Sequence, residues 1–105
     1  MEYINPIPTQ LAKARKKANL SQKDLGILIG LDSSSASSRM NHYEKGRHTP
    51  DIKTLKRISL ELGVPLNYFF CEDDITAELV IQIANLNNSE KEELLNQIKE
   101  NFKAK

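Results

Sequence analysis

The sequence predicts an all-α fold, and three observations support this prediction. Apolar residues recur at spacings of three and four through most of the chain, which is the period of amphipathic helices. Turn-forming residues separate these stretches at short intervals, so the helices are expected to be short. The 105 residues include only four Gly and four Pro, with few β-branched runs, which argues against a β-sandwich or barrel. The length fits one domain, or one small domain with an appendage.

The first two helices are predicted from their caps. Thr9 is the expected cap of a helix that runs to about Ala18, after extended backbone at the two prolines that precede it. Ser21, with an acidic residue three positions later, is the expected cap of the second helix, and Gly30 is expected to end that helix in a left-handed conformation. The predicted inward stripe of the second helix consists of Leu25, Leu28 and Ile29.

The serine-rich segment ahead of Gly46 has two interpretations. Five of the six residues at 33–38 are Ser, which disfavours a helix interior and is typical of a flexible loop. We favour a helix that begins near position 33 or 34 and ends before Gly46, with small polar side chains on one face. The opposite, buried face would consist of Ala36, Met40 and Tyr43.

Two more helices complete the front part of the chain. Asp51 is the expected cap of the fourth helix, and Gly63 is expected to end it. Pro65 fits the first turn of a short fifth helix. The residues expected to point inward are Ile52, Leu55, Ile58 and Leu62 in the fourth helix and Leu66, Phe69 and Phe70 in the fifth.

Charge divides the chain after Cys71. Residues 1–71 contain eleven Lys and Arg against six Asp and Glu, whereas residues 72–105 contain four against eight. The net charges of +5 and −4 suggest two surfaces with different partners. A charge of +5 suits a polyanion binder but is too small to establish one.

Residues 72–105 are predicted to form a helical hairpin, because two amphipathic stretches are separated by a short turn at 87–88. This hairpin either packs back on residues 1–71 as core or joins two copies of the chain, and we favour the second interpretation. The predicted dimerisation residues are Ile75, Leu79, Ile83 and Leu86 in the first helix and Leu94, Leu95, Ile98 and Phe102 in the second.

Three stretches of the front part, in the right order, resemble one family of regulators. The segment LSQKDL at 20–25 resembles the "LSQxxLA" start of helix two in phage-repressor/Cro-type (XRE-like) helix-turn-helix domains. The segment YEKG at 43–46, followed by Pro50, resembles their "YExGxxxP" ending. The segment at 55–66 resembles their "LxxIAxxLGVPL" tail.

The resemblance covers about residues 9–70 and implies a five-helix repressor-like domain that regulates transcription, usually on two-fold-symmetric operators. It implies that Gln22 grips the DNA backbone and that Arg15 and Glu44 form a structural ion pair rather than a binding site. The loop that carries Lys45, Arg47 and His48 would run along the sugar-phosphate backbone.

Two features depart from the family pattern. Gly26 stands where the family usually has Ala, which should loosen the second helix. Gly30 and Tyr43 are thirteen positions apart, about four more than the pattern has, and four residues make about one α-helical turn. The extra residues either lengthen the third helix at its start or lengthen the loop before it.

The third helix would carry the residues that read DNA. Arg39 suits bidentate hydrogen bonds to guanine O6 and N7, or else contacts phosphate only. Asn41 suits adenine or faces solvent, and the serines either bond DNA or cap the helix. The predicted DNA-binding residues are Gln22, Lys23, Ser34, Ser35, Ser38, Arg39, Asn41, His42, Lys45, Arg47 and His48.

We therefore predict a DNA-binding transcriptional regulator, a homodimer located in the cytoplasm, with no cofactor and no metal. An alternative is an antitoxin-like or anti-regulator protein that holds another protein through its acidic C-terminal helices. An enzyme is not favoured, because the sequence has no zinc-motif spacing, no phosphate-binding Gly loop and no paired base and nucleophile.

Cys71 is the single cysteine, which excludes an internal disulfide and suits a reducing compartment. No apolar run is long enough to span a membrane.

Overall fold

The computed structural model describes residues 3–103, and this part of the chain is entirely helical, with no strand. The all-α prediction is therefore confirmed. Six α-helices and one 3-10 helix follow one another: α1 (Ile7–Lys17), α2 (Gln22–Leu28), α3 (Ala36–Glu44), α4 (Ile52–Leu62), the 3-10 helix (Leu66–Phe70), α5 (Asp74–Ala84) and α6 (Asn88–Asn101).

The core is aliphatic and lies among the first four helices and the 3-10 helix. Each of these five elements contributes one or two of the most completely buried large side chains, which are Leu11, Leu25, Met40, Leu55, Ile58 and Phe69. The buried face predicted for the third helix is confirmed, since Ala36 and Met40 are fully buried and Tyr43 is nearly so. This face fixes α3 on the core and leaves its other side to solvent.

Helix α1 begins three residues earlier than predicted. Pro6 is its N-cap, with a helical backbone (φ −78°, ψ −13°), and Pro8 lies in its first turn, so Thr9 is not the cap. Proline is tolerated there because the first N–H groups of a helix have no partner within it, and because the fixed φ of proline suits the helix. Asn5 Oδ1 accepts a hydrogen bond from the Ile7 N–H instead, at 3.1 Å.

One of the three residues predicted for the inward stripe of α2 is wrong, because Leu28 is 48% exposed whereas Leu25 and Ile29 are buried. The reason is the position of α3, which packs against α2 at Gly26, so that Gly26 lies on the buried face of α2. Leu28 is two residues further along and therefore lies on the opposite side of the helix. Similar errors concern Ile52 and Phe70, which are exposed; Tyr68 is buried in place of Phe70.

Gly26 allows α2 and α3 to approach each other closely. A Cβ atom at Gly26 would lie 2.7 Å from the Ala36 Cβ and 3.0 Å from the Ala36 carbonyl oxygen, closer than atoms pack. The two helices of the helix-turn-helix therefore approach each other to a distance that alanine does not permit.

We expect Gly26→Ala to destabilise the protein, although it restores the residue that the family pattern has. Overpacking costs about 1–3 kcal/mol, and the gain in helix propensity is only about 1 kcal/mol. Denaturant unfolding should show a net loss of about 1 kcal/mol. Adding Ala36→Gly should recover part of that loss, because it removes one of the clashing atoms; a more stable single variant would show that the helices have room.

The extra residues between α2 and α3 lengthen the loop rather than the helix. Residues 33–35 form a turn, and α3 begins at Ala36, two or three residues later than predicted. Asp32 organises this turn: its carbonyl oxygen accepts from the Ser35 N–H at 3.0 Å, and its carboxylate accepts from the Ser34 N–H at 3.2 Å. The serines bond to Asp32 instead of extending the helix, as expected from their competition for backbone hydrogen bonds.

Helix α5 packs on the core through a face other than the predicted apolar stripe. Ala77 is buried in the same cluster as Phe69, with Val80 and Ile81 packed against it. Ile75 and Leu79, by contrast, are 76% and 54% exposed.

Helix α6 contains no buried residue. The radius of gyration is 16.1 Å, compared with about 13 Å for a compact chain of this length, and the molecule measures 53 × 36 × 22 Å. The described part of the chain is therefore elongated, and most of the predicted dimerisation residues, among them Ile75, Leu79 and Leu95, are exposed in it.

Candidate nucleic-acid interface

The solvent side of α3 carries polar and basic side chains. Ser38 and Arg39 are exposed, and Asn41 and His42 are half-buried. Because 3.6 residues make one turn, Ser38, Asn41 and Lys45 follow each other along the side of the helix opposite Met40. A helix with one buried apolar face and one exposed polar face has the shape and the chemistry that the major groove accepts.

The serines predicted to bind DNA separate into two groups. Ser34 and Ser35 lie in the turn before α3, where the Ser34 hydroxyl donates to the Asp32 carboxylate and the Ser35 hydroxyl to the Asp32 carbonyl oxygen at 3.4 Å. The Ser34 hydroxyl and its backbone N–H hold the pKa of Asp32 below its ordinary value, so this carboxylate is charged at neutral pH. Only Ser38, among the three predicted serines, lies within α3.

A hydrogen-bonded network joins the ends of α1, α2 and α3. Arg15 Nε and Nη2 donate to the two Glu44 carboxylate oxygens at 2.5 and 3.0 Å, and Arg15 Nη1 donates to the Leu20 carbonyl oxygen at 2.7 Å. The Arg15 and Glu44 side chains are only 11% and 6% exposed. Bidentate geometry and burial both favour a strong ion pair at the base of the helix-turn-helix.

Gln22 extends this network to the exposed side of α3. Its Nε2 atom donates to Glu44 Oε1 at 3.1 Å and to Asn41 Oδ1 at 3.2 Å. Both amide hydrogens of Gln22 are therefore directed at protein acceptors. A phosphate, which also needs a donor, would have to displace one of these two bonds.

The loop after α3 folds back on the end of that helix. The His42 carbonyl oxygen accepts from the Arg47 N–H at 2.9 Å and from the His48 N–H at 3.3 Å. The His42 and His48 rings meet edge to face with their centroids 4.9 Å apart. Lys45 and Arg47 are exposed, as is Lys23 at the start of α2. The predicted DNA-binding residues thus lie on the exposed face of α3, in the loop that follows it and at the start of α2, with two serines in the turn before α3.

Two polar side chains that lie against distant parts of the chain were not predicted from the sequence. Gln10 is buried and donates from Nε2 to the Cys71 carbonyl oxygen at 2.9 Å, which ties α1 to the start of the C-terminal segment. The Arg57 guanidinium lies beside Gly30, which has a φ of +94°. Both contacts join residues that are distant in sequence, so they could not be predicted from a local pattern. The left-handed conformation of Gly30, by contrast, was predicted.

Metal ligands and the thiol of Cys71 are the other reactive groups to consider in the described residues. Between residues 3 and 103, no three His, Cys, Asp or Glu side chains come together as a metal site would require. Cys71 is buried, its Sγ donates to the Asn67 carbonyl oxygen at 3.3 Å, and burial raises the pKa of its thiol, which keeps the sulfur protonated. No described helix is both long and apolar enough to cross a membrane.

Comparisons with known proteins agree with this geometry. A family model described as a helix-turn-helix domain matches residues 10–75. Among solved structures, the chain is similar to the crystal structure of the transcriptional regulator BswR, with 41% sequence identity and a TM-score of 0.80; the match covers 90% of this chain and 93% of that one. A search of curated proteins finds no match.

Proposed function

The chain belongs to the helix-turn-helix domain family, and from this premise we propose that it is a sequence-specific regulator of transcription that binds double-stranded DNA. In this proposal it acts as a homodimer on a two-fold-symmetric operator, with α3 in the major groove. The observation that carries the proposal is the division of α3 into a buried apolar face and an exposed polar one. The similar structure is that of a transcriptional regulator, which supports the same function.

The exposed residues divide by the chemistry that they offer to DNA. Arg39 and Ser38 are suited to base edges, since they are exposed on α3 itself. Lys23, Lys45 and Arg47 are suited to phosphates, because they are exposed cations on either side of that helix. Ser34 and Ser35 remain candidates for contacts from the turn, at the cost of their bonds to Asp32.

Selection of bound DNA from a random pool by the full-length protein tests the proposal directly. We expect a palindromic consensus whose half-sites are about one turn of DNA apart. A consensus without symmetry would contradict the homodimer while leaving DNA recognition intact. A pool that shows no enrichment would overturn the proposed function.

Arg39→Ala should weaken binding to the selected operator by about 1–3 kcal/mol per site and weaken binding to unrelated DNA much less. The reason is that a base contact contributes to discrimination, whereas a phosphate contact acts on every sequence alike. Titrations of both DNAs at one salt concentration measure the difference. Arg47→Ala is the matched control, and an equal loss on both DNAs with Arg39→Ala would make Arg39 a phosphate contact.

The apolar residues of the C-terminal helices support the homodimer. Most of them are exposed, among them Ile75, Leu79, Leu95 and Phe102, and α6 as a whole is unburied. Exposed apolar surface arranged along two consecutive helices is typical of an interaction site. We assign it to a second copy of this chain, because a two-fold operator requires two recognition helices related by the same symmetry.

A further inference from the structure

We propose that a groove between α1 and α5 binds a small organic carboxylate, which pairs with lysines of α1 and accepts a hydrogen bond from the Tyr68 hydroxyl. This α1–α5 groove lies between Lys13, Lys16 and Lys17 on one side and α5 on the other, with Tyr68 between them. Its volume of about 460 Å³ is within the range of small-molecule sites. The groove includes none of the predicted DNA-binding residues, so the inference goes beyond the proposed function.

Tyr68 places a hydroxyl without a partner at the floor of the α1–α5 groove. The side chain is only 2% exposed, and its ring packs edge to face on Phe69 with centroids 5.6 Å apart. A buried tyrosine hydroxyl usually has a hydrogen-bond partner. Within residues 3–103, the Tyr68 hydroxyl has none. A polar group that lost its water on folding is therefore available to a ligand in the groove.

The Tyr68 hydroxyl is a donor at neutral pH. Burial raises the pKa of this phenol above its ordinary value, and the nearby charge of Lys13 opposes the shift only in part. The phenol therefore keeps its proton. A protonated hydroxyl without a partner suits an anionic oxygen, because hydrogen bonds to charged acceptors are the stronger ones.

The charges that line the α1–α5 groove also favour an anion. Lys13 Nζ is neutralised by Asp74 Oδ1 at 2.8 Å. Lys16 and Lys17 are exposed and form no ion pair in the described part of the chain. The remaining carboxylate of the groove is that of Glu78, so two lysines without a partner stand against one acidic side chain. A carboxylate between the lysines and the Tyr68 hydroxyl would balance this charge.

The apolar part of the groove selects the rest of the ligand. Ala77 is buried and Ile81 is half-buried, and both line the groove together with Tyr68. An inorganic anion would leave this apolar surface uncovered, whereas an aromatic ring or a short alkyl chain would bury it. The favoured class is therefore a carboxylate attached to a small apolar body.

Titration of the isotope-labelled, full-length protein with benzoate, followed through its amide NMR signals, tests the inference. We expect saturable shifts that are largest at the groove. Tyr68→Phe should lower the affinity for benzoate about tenfold, because it keeps the ring and removes only the donor. Replacing both Lys16 and Lys17 by Gln should lower the affinity severalfold, and less so at high salt. Lys56→Gln changes an exposed lysine outside the groove, and as the matched control it should have no effect.

Two further probes separate the charge of the ligand from its apolar body. Benzamide has the ring without the charge, and inorganic phosphate has the charge without the ring, so both should bind much more weakly than benzoate. No saturable binding of benzoate up to about 10 mM would overturn the inference. Equal affinity for benzoate in Tyr68→Phe, or equal binding of benzamide or phosphate by the unaltered protein, would also overturn it.

Loss of folding does not account for the expected result. Tyr68→Phe leaves the buried ring in place, and Lys16 and Lys17 are exposed, so we expect these variants to fold. Thermal unfolding checks this, and benzoate should raise the Tm of the unaltered protein more than that of Tyr68→Phe. An equal rise in both would count against the site. These measurements contain no DNA, so their outcome is independent of the proposed function.

Discussion

Glu44→Ala should destabilise the protein by about 3–5 kcal/mol, the largest effect expected of any single substitution at the helix-turn-helix. The change leaves Arg15 buried with Nε and Nη2 unpaired, and it also removes an acceptor of Gln22. Small domains have a free energy of unfolding of only about 5–15 kcal/mol, so a large part of the total would be lost. Denaturant unfolding of both proteins measures the difference.

A second ion pair on the same helix is a matched control. Lys13 Nζ lies 2.8 Å from Asp74 Oδ1, but these side chains are 44% and 74% exposed. Lys13→Ala should therefore cost less than about 1 kcal/mol. Replacing both buried partners, as in Arg15→Met with Glu44→Leu, should cost less than the sum of the single variants, since no charge is left unpaired. A loss in Glu44→Ala as small as that in Lys13→Ala would refute the structural role of the buried pair.

Some helix ends of this fold could be predicted from the sequence, because capping is local. Ser21 accepts from the Asp24 N–H at 2.9 Å, and Asp51 accepts from the Thr54 N–H at 2.8 Å, both as predicted. Gly63 ends α4, as predicted, and it does so in a left-handed conformation. The cap of α6 is Asn87, with Glu90 completing a capping box, although Ser89 and Glu92 offer the same pattern in the sequence two residues later. Asparagine and serine serve equally well there, so only the geometry of the turn decides between them.

The buried face of α5 was not predictable, because apolar residues occur on more than one side of that helix. Ile75 and Leu79 follow helical spacing as well as Ala77 and Ile81 do, yet only the second pair packs on the core. Contacts with the 3-10 helix determine which face of α5 is buried, and a local sequence pattern does not contain these contacts. Sequence patterns are equally unable to predict the contacts within the candidate nucleic-acid interface. Gln22 donates there to Asn41 and Glu44, which are 19 and 22 positions away in the sequence.

Removing residues 87–105 should abolish the proposed homodimer and leave the rest of the protein folded. Helix α6 buries no side chain, so its loss exposes little of the core. Two linked recognition helices bind one operator about 10²-fold or more tightly than either alone, so affinity for the two-fold operator should fall by at least that factor. Affinity for an isolated half-site should not change. Sedimentation measures the mass, and titration of both DNAs measures the affinities.

A charge on the apolar side of α6 tests the same interface without a deletion. Leu95→Lys places the charge among the predicted dimerisation residues, whereas Asn96→Lys places it about 100° away around the helix on an exposed polar side. We expect Leu95→Lys to give a folded monomer with weak operator binding and Asn96→Lys to remain a dimer. If both variants and the truncated chain remain dimers, the interface lies elsewhere. If the unaltered protein is itself a monomer at micromolar concentration, the exposed apolar side is free for a different protein, as the antitoxin-like alternative requires.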